Sequence, residues 1–510
     1  MENLRQKFKL FNYRPLVLVF LGIASGILIN HFISYQTAIC VVGIILVVGV
    51  LLFYSILHKK FKYFAIFGIT FVLGFSTYAI FTNTNQHKQL NYQYQYAIGT
   101  ISSIKTYDNC LCLLLEDVEI DNEPIGYNVE VYYYNLSQSG YIALKAGARI
   151  GFNISKQKEV AYYSEGGLPN TYVFNNNIGA EFTTYEIKLL DEKDGVRTSL
   201  LSRIRDNLRF GLNNLNGEMI YSAMFGDKTY LNHDLYDAYK GAGVAHLLAV
   251  SGLHVGLVVA IIYWILNKLK VKGWYRVAIV VALLFGYAYL CNFSYSILRA
   301  SIMAIVLMIA PIMFREYDLL SSICFAGAAI LVIEPMALFD LSAQLSFGCV
   351  FGIAMLTPTF QRWFKKVPIP SGIKDGFCIS LSTIISTAVF MAYYFKQLQP
   401  ISLISNIIIL PIFSILFTIV FIVAMLSLIL PFVCYALNLI NPLFEWLNWA
   451  IIFMGNIAKP IMTPNVNYLT IILFCVLLAF ASKYNLYKRF NKFTMVSACV
   501  GVLALQMALI

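Results

Sequence analysis

Long apolar segments recur from one end of this chain to the other and constrain its fold more than any other feature. A helix of about 20 residues, rising about 1.5 Å per residue, covers the roughly 30 Å hydrocarbon core of a bilayer. Of the 510 residues, 59% are hydrophobic and only 12% are charged, which excludes an ordinary soluble protein. We predict a polytopic α-helical membrane protein with about thirteen spans, at about 15–33, 37–57, 63–82, 244–267, 277–291, 296–314, 319–334, 342–358, 377–396, 401–429, 433–457, 467–482 and 493–510.

Basic residues beside these spans predict the orientation, because Lys and Arg are retained on the cytoplasmic side of a membrane. Basic clusters occur at 5–14, 59–62, 268–276, 362–374 and 483–492. Simple alternation of the spans then places the N-terminus in the cytoplasm and the C-terminus outside. The long span at 401–429 contains Pro411, so it is either one helix or a broken, re-entrant hairpin. A hairpin that crosses twice would move the C-terminus inside.

The segment 83–197 separates the N-terminal transmembrane helices (1–82) from the rest of the chain and is the largest polar stretch. It holds nine basic and fourteen acidic residues, a net charge of −5. Alternating apolar and polar residues predict strands at about 95–107, 110–120, 125–134, 147–157 and 178–190. A small extracytoplasmic β-barrel, OB-like, is the expected closure of five such strands.

Tyrosines are frequent in this predicted barrel and have two interpretations. They either stack on bases, as in proteins that bind single strands, or reflect the preference of strands for aromatic residues. The negative charge of the domain opposes phosphate binding and favours the second interpretation. The tyrosines concerned are Tyr92, Tyr94, Tyr96, Tyr127, Tyr132 and Tyr134.

Residues 198–243 are predicted to form amphipathic, interfacial helices between the barrel and the polytopic domain (244–510). Leu201, Ile204, Leu208, Leu212 and Leu215 fall on one helical face, and arginines lie elsewhere on the same helix. Such a helix is typical of the outer membrane interface. Its arginines would meet lipid headgroups or, in the functional alternative, nucleic-acid phosphates.

The stretch AHLLAVSGLHVGL (245–257) places histidines, a serine and glycines inside an apolar run. In a straight helix His246 and His254 would lie about 12 Å apart along the axis, too far to share a metal ion. Ser251 and Gly252 either unwind the helix beside a cavity, or pack closely while the imidazoles bond neighbouring helices. The sequence leaves both alternatives open.

The longer segment MFGDKTYLNHDLYDAYKGAGVAHLLAVSGLHVG (224–256) resembles the signature of the ComEC family of competence proteins. Other stretches resemble the family in the same order, although the Asn-Pro-Gly and Phe-Asp-Tyr usual in the first are replaced. They are SEGGLPNTYVFNNNIG (164–179), NFSYSILRASIMA (292–304), EPMALFDLSAQLSFGCVFGI (334–353) and PISLISNIIILPI (400–412). The likeness covers essentially the whole chain.

The resemblance implies an inner-membrane channel that takes up single-stranded DNA during natural transformation in bacteria. Many members carry a C-terminal metallo-β-lactamase-like domain, whereas this sequence stops at Ile510 and its six histidines form no HxHxDH cluster. No GxxxxGK[ST] loop is present either. We therefore expect no catalytic residue, metal or cofactor, and we expect as partners the single strand, the lipid bilayer, a separate nuclease, a DNA receptor and a cytoplasmic ATPase or helicase.

Residues of the motifs are the candidates for the DNA path. Arg299 lies within an apolar span, where a charge costs roughly 2.5–3.5 kcal/mol on insertion scales, so it serves a pore, packs internally or snorkels to the interface. Asp227 is expected to pair with Arg299 or His254. The complete set of candidates is Asp227, His246, Ser251, Gly252, His254, Gly256, Arg299, Gln344, Ser346 and Asn406.

Rival hypotheses remain at this stage. The first is a transporter or exporter of another solute on the same scaffold. The second is a membrane hydrolase in which Ser251 is the nucleophile and His246 or His254 the base. The sequence has no GxSxG elbow around Ser251, which disfavours the hydrolase.

Overall fold

The structure is a computed structural model, and it assigns secondary structure along most of the chain. The residues that it describes are 14–32, 62–87, 92, 95–106, 110–134, 144, 147–164, 168–192, 196–368, 370–457, 460–463, 466, 470–471 and 474. The spans predicted at 37–57, 467–482 and 493–510 lie wholly or almost wholly outside these residues.

Helices account for most of the described chain, as the apolar segments predict. They are Pro15–Phe32 (α1), Lys62–Asn85 (α2), Thr171–Asn175 (α3), Val196–Gly211 (α4), Asn214–Phe225 (α5), His233–Gly241 (α6), Gly252–Lys268 (α7), Gly273–Leu290 (α8), Tyr295–Ile312 (α9), Leu319–Ile333 (α10), Leu341–Trp363 (α11), Ser371–Phe395 (α12), Ser402–Ser427 (α13) and Asn441–Ile457 (α14). Short 3₁₀ helices occur at Ala245–Leu248, Pro335–Leu338, Phe364–Lys366 and Pro431–Leu439.

Six of the described helices are long and apolar enough to cross a membrane. They are Ile66–Asn85, Gly273–Leu290, Tyr295–Ile312, Leu341–Lys366, Ser371–Phe395 and Ser402–Ser427. Shorter apolar helices cover Pro15–His31, Gly252–Lys268 and Leu319–Ile333. The chain is thus a mostly helical protein with the character of a membrane protein. Pro411 lies inside a continuous α13, so the hairpin alternative for 401–429 is wrong.

The span predicted at 433–457 is not one continuous helix. The chain there forms the 3₁₀ helix Pro431–Leu439 and then α14, which is only 17 residues long. A buried polar network fixes one face of α14, while Leu443, Trp449 and Phe453 on the same helix are exposed. The Tyr239 hydroxyl donates to Asn448 Oδ1 (2.7 Å), and Asn448 Nδ2 donates to Asn216 Oδ1 (2.7 Å). These bonds hold α14 against α5 and α6.

The predicted amphipathic helix is α4, and its apolar face is covered by protein. Ile204, Leu208 and Leu212 are buried in the largest hydrophobic cluster, together with residues of α5, α7, α8 and α13. Leu215 lies outside that core and is exposed. The expectation that this face rests on the outer interface is therefore not met, because other helices occupy the position expected for lipid.

The polar segment forms a sheet domain whose strands match the predicted ones closely. They are Tyr96–Thr106 (β1), Leu111–Ile120 (β2), Glu123–Pro124 (β3), Asn128–Tyr133 (β4), Ala148–Asn153 (β5), Lys156–Lys158 (β6), Ile178–Thr184 (β7) and Ile187–Glu192 (β8). A separate two-stranded antiparallel sheet pairs Gln397–Leu398 (β9) with Ile461–Met462 (β10). The predicted strand at 178–190 divides at Tyr185 and Glu186.

The strands are hydrogen-bonded in the order β6-β7-β4-β2-β1-β5-β8, with β3 beside β2. Strands β4 and β7 are parallel, and the other neighbours are antiparallel. Alternate residues such as Val129, Val131, Ile150 and Phe182 fill one core. The order has two ends, β6 and β8, so the pairing among the described strands does not close into the predicted barrel.

Helix α3 attaches the sheet domain to the helical part. Val173 and Phe174 are buried in a cluster with Ile23 and Ile27 of α1, Tyr78 of α2 and the 3₁₀ helix Pro335–Leu338. Asn170 caps this helix through its side chain. The motif at 164–179 therefore contains the docking element of the sheet domain.

Candidate functional site

The stretch 245–257 is a broken helix, one of the alternatives that the sequence leaves open. The 3₁₀ helix Ala245–Leu248 ends at Ala249, whose backbone is extended (φ −121°, ψ 150°). Ser251 is also extended and is the N-cap of α7, where its Oγ accepts a hydrogen bond from the His254 N–H (3.3 Å). The helical part of the span predicted at 244–267 therefore begins at Gly252, because the N-cap serine starts a new helix.

Arg299 lies against the start of this new helix. Its side chain belongs to α9 and is only 5% exposed. A Cβ atom at Gly252 would lie 2.7 Å from Arg299 Nη2, so glycine is required for this close approach. Among the described residues, the guanidinium forms no ion pair with a carboxylate.

Hydroxyl groups of α9 and α11 complete the surroundings of Arg299. Arg299 Nε donates to Ser346 Oγ (2.9 Å), and Ser296 Oγ donates to the same oxygen (3.0 Å). The ring of Phe347 lies 5.9 Å from the guanidinium carbon. Gln344, two residues before Ser346, donates from Nε2 to the Leu338 carbonyl (2.9 Å) and so fixes the start of α11.

His254 is packed as an aromatic residue. It is fully buried, and its ring is stacked on Phe417 with the centroids 4.0 Å apart. Phe413 is a second ring neighbour at 5.8 Å. Neither ring nitrogen has a hydrogen-bond partner among the described residues. The imidazole therefore forms no hydrogen bond with Ser251, whose hydroxyl caps α7.

Asp227 does not pair with Arg299 or His254, so that prediction is wrong. Its Oδ1 accepts from the N–H (3.0 Å) and the hydroxyl (2.6 Å) of Thr229. These bonds form within the loop after α5, where Gly226 has a positive φ of 78°. A local turn thus satisfies the carboxylate that the sequence assigns to a distant partner.

Among the described residues, the remaining candidates form no hydrogen bond with Arg299. His246 and Gly256 are exposed, and a Cβ atom on Gly256 would meet nothing within 4 Å. Asn406 lies in α13, and its buried Oδ1 has no partner among the described residues. The structure thus brings Gly252, Arg299 and Ser346 together and leaves Asp227 apart.

Sequence reasoning missed Ser296 and the two phenylalanines that contact His254. Ser296 stands three residues before Arg299, which is the helical spacing for one face, so the signal was present. Phe413 and Phe417 are four residues apart, which also places them on one helical face, but nothing in the sequence indicates that α13 crosses α7. That contact depends on tertiary packing.

In the sheet domain, the predicted stacking tyrosines separate into packed and exposed residues. Tyr127 donates its hydroxyl to that of Tyr92 (3.0 Å), and Tyr132 lies beneath Lys158. Tyr96 and Tyr134 are exposed, and Tyr94 lies outside the described residues. A shallow groove of about 380 Å³ is lined by Tyr96, Tyr133, Gly151, Phe152, Asn153, Tyr185, Glu186, Ile187 and Lys188.

Together these features define a class: a helical membrane protein with a docked sheet domain and a buried arginine at a broken helix. A family model described as "Competence protein" matches residues 223–486, slightly more than half of the chain. The chain therefore belongs to the Competence protein family. Both the broken helix and Arg299 lie inside the matched region.

Curated relatives agree with this family. The chain is 23% identical to ComE operon protein 3 of Bacillus subtilis over 350 residues, which are 68% of this chain and 44% of the relative. It is 28% identical to Recombination protein 2 of Haemophilus influenzae over 204 residues, 39% of this chain and 25% of the relative. It is 26% identical to Competence protein ComA of Neisseria gonorrhoeae over 220 residues, 41% of this chain and 30% of the relative.

The matched parts of this chain span less than half the length of these relatives. No solved structure matches the chain.

Proposed function

We propose that this protein is the inner-membrane channel through which single-stranded DNA is taken up during natural transformation. Membership of the Competence protein family, with relatives named for competence and recombination, supports DNA as the cargo. Six described helices suited to a membrane support a polytopic channel domain. The basic clusters support a cytoplasmic N-terminus.

The observation that carries the proposal is the buried arginine. An isolated charge inside a helical bundle is costly unless it is paired, and Arg299 has no carboxylate partner among the described residues. Such a residue in a membrane domain marks a substrate pathway by default. A polyanion such as DNA supplies the missing negative charge each time a phosphate passes.

The sheet domain is proposed to be OB-like and to receive the strand outside the membrane. Strand β6 follows β5 after only Ile154 and Ser155, so one stretch of chain pairs with β1 and then with β7. This path supports a barrel that is closed by the bend between β5 and β6 and not by hydrogen bonds between the two end strands. The exposed Tyr96, Tyr134 and Tyr185 would stack on unpaired bases.

In this proposal the chain guides the DNA strand across the membrane and catalyses no reaction. Gly252, Arg299 and Ser346 line the path, and His246, Ser251, His254, Gly256, Gln344 and Asn406 shape or flank it. A separate nuclease would degrade the second strand. A DNA receptor and a cytoplasmic ATPase or helicase would deliver and pull the strand.

The test is transformation frequency, measured together with internalised labelled single strand, in a strain that lacks the gene. Complementation uses the wild type, Arg299→Ala and the matched control Arg276→Ala, which removes a guanidinium bonded to Asn267 outside the site. We expect deletion and Arg299→Ala to abolish or strongly reduce internalisation while surface-bound DNA persists. Normal internalisation without the gene, in a competent strain, would assign the chain another cargo.

A further inference from the structure

The first turn of α7 presents backbone donors beside Arg299. The helix starts at Gly252, and Ser251 Oγ caps only the His254 N–H. The N–H groups of Gly252 and Leu253 have no partner among the described residues. Leu253 is 44% exposed, so this turn is accessible. Free N–H groups and the helix dipole make such a turn an anion site when a second feature also requires an anion.

Arg299 is that second feature. Its guanidinium faces the same turn, with Nη2 2.7 Å from the position of a Gly252 Cβ atom. The N-terminus of a helix carries roughly half a positive elementary charge, so a buried cation beside it is repelled. Ser346 and Phe347 contact Arg299, but neither carries a negative charge. An anion between the Arg299 guanidinium and the N-terminus of α7 would attract both groups and offset their repulsion.

We propose that a phosphodiester group binds between the Arg299 guanidinium and the N–H groups of Gly252 and Leu253, forming a phosphate subsite on the DNA path. The identity of the anion as a DNA phosphate rests on the proposed function. The need for an anion follows from the contact between Arg299 and the first turn of α7. Arg299 faces α7 and α11 and is 95% buried inside the bundle, so the phosphate of a passing strand fits better than a lipid headgroup.

The experiment measures binding and not transport. Full-length protein in nanodiscs of phosphatidylcholine is titrated with a fluorescent oligo-dT over a range of salt concentrations. The variants are Arg299→Gln, Arg299→Lys and the control Arg276→Gln. We expect Arg299→Gln to weaken binding about tenfold, to lower the salt slope by about 0.7, and to leave binding of a neutral methylphosphonate strand unchanged. Arg299→Lys should keep the slope because it keeps the charge.

Folding is checked by thermal unfolding of the same samples without DNA. Arg299→Gln should unfold at the same or a higher temperature, because it removes a repelled, buried charge. Equal affinity and equal salt slope for wild type and Arg299→Gln would overturn the subsite. A change in unfolding temperature on adding phosphatidylglycerol that depends on Arg299, without any effect of Arg299→Gln on oligo-dT binding in neutral lipid, would assign the site to lipid and overturn it as well.

The outcomes separate the subsite from the channel. Arg299-dependent binding in nanodiscs, combined with normal uptake in a strain lacking the gene, would support the subsite and contradict the proposed function. Arg299-independent binding, combined with loss of uptake in that strain, would do the reverse.

Discussion

At the first turn of α7, Gly252 lies against the Arg299 guanidinium, and this contact gives a sensitive test of the path. In Gly252→Ala the new methyl group would displace Nη2 instead of unfolding the helix, because the guanidinium ends a flexible side chain. We expect DNA uptake to fall at least several-fold at a normal protein level. Gly286→Ala in α8, whose Cβ would meet nothing within 4 Å, is the control. Equal uptake in both variants would contradict the assigned role of Gly252.

Ser251 distinguishes a channel from a hydrolase. Its hydroxyl caps α7, so Ser251→Ala should cost about 1 kcal/mol of stability. Ser251→Thr should restore the cap. We expect DNA uptake by Ser251→Ala to decrease only in proportion to the amount of folded protein in the membrane. Transformation frequency measures the uptake, and immunoblotting measures the protein. Abolished uptake in Ser251→Ala at a wild-type level of folded protein would revive the nucleophile hypothesis.

Glu181 in the sheet domain predicts a pH dependence of stability. Burial raises the pKa of this carboxyl, the opposed Glu130 raises it further, and Lys158 lowers it. A raised pKa in the folded state means that folding stabilises the protonated form. The contribution of this group to the free energy of unfolding is therefore most favourable below its unfolded pKa. It is lost as pH rises through the raised pKa of the folded state.

Glu181→Gln should thus raise the unfolding temperature of the full-length protein at neutral pH, and the difference should shrink in acid. The exposed Glu159 provides the control variant Glu159→Gln, for which we expect little change. A gain from Glu181→Gln that is the same at every pH would contradict the electrostatic explanation.

At the scale of elements, α3 couples the sheet domain to the helix that carries Arg299. The Tyr295 hydroxyl, in the first turn of α9, donates to the side-chain oxygen of Asn175 (2.7 Å), and the Asn175 amide then donates to Glu334 (3.0 Å). Arg299 follows Tyr295 by about one turn. The contact therefore positions α9 relative to the sheet domain.

A double-mutant cycle of Asn175→Ala and Tyr295→Phe tests this docking. We expect a coupling of about 1 kcal/mol in the free energy of unfolding, the net worth of one hydrogen bond. Tyr172→Phe, which removes a bond to Glu130 from the same helix, should be additive with Tyr295→Phe. Additivity of the Asn175 and Tyr295 variants would show that the bond does not dock α3 on α9.

At the scale of the whole molecule, the basic loops and the sheet domain should lie on opposite sides of the membrane. Tyr185 of the sheet domain is 55% exposed, and Trp363 at the end of α11 is 71% exposed beside Lys365 and Lys366. We expect Tyr185→Cys to react with a membrane-impermeant maleimide in cells from which any outer membrane has been removed. Trp363→Cys should react only after the cytoplasmic membrane is permeabilised. The parent protein reports the background from native cysteines. The opposite labelling pattern would reverse the predicted topology.

The sequence by itself determined the helical membrane class, most described helices, the strands of the sheet domain and the family. Apolar length, alternation and motif spacing are properties of neighbouring residues, so a linear pattern contains them. Only the tertiary structure decided that α13 is continuous through Pro411, that α14 packs on α5 and α6, and that Asp227 bonds Thr229. It also decided that Gly252 meets Arg299. Each of these depends on which groups the folded chain brings within a few ångströms, because burial and hydrogen bonding are settled by neighbours distant in sequence.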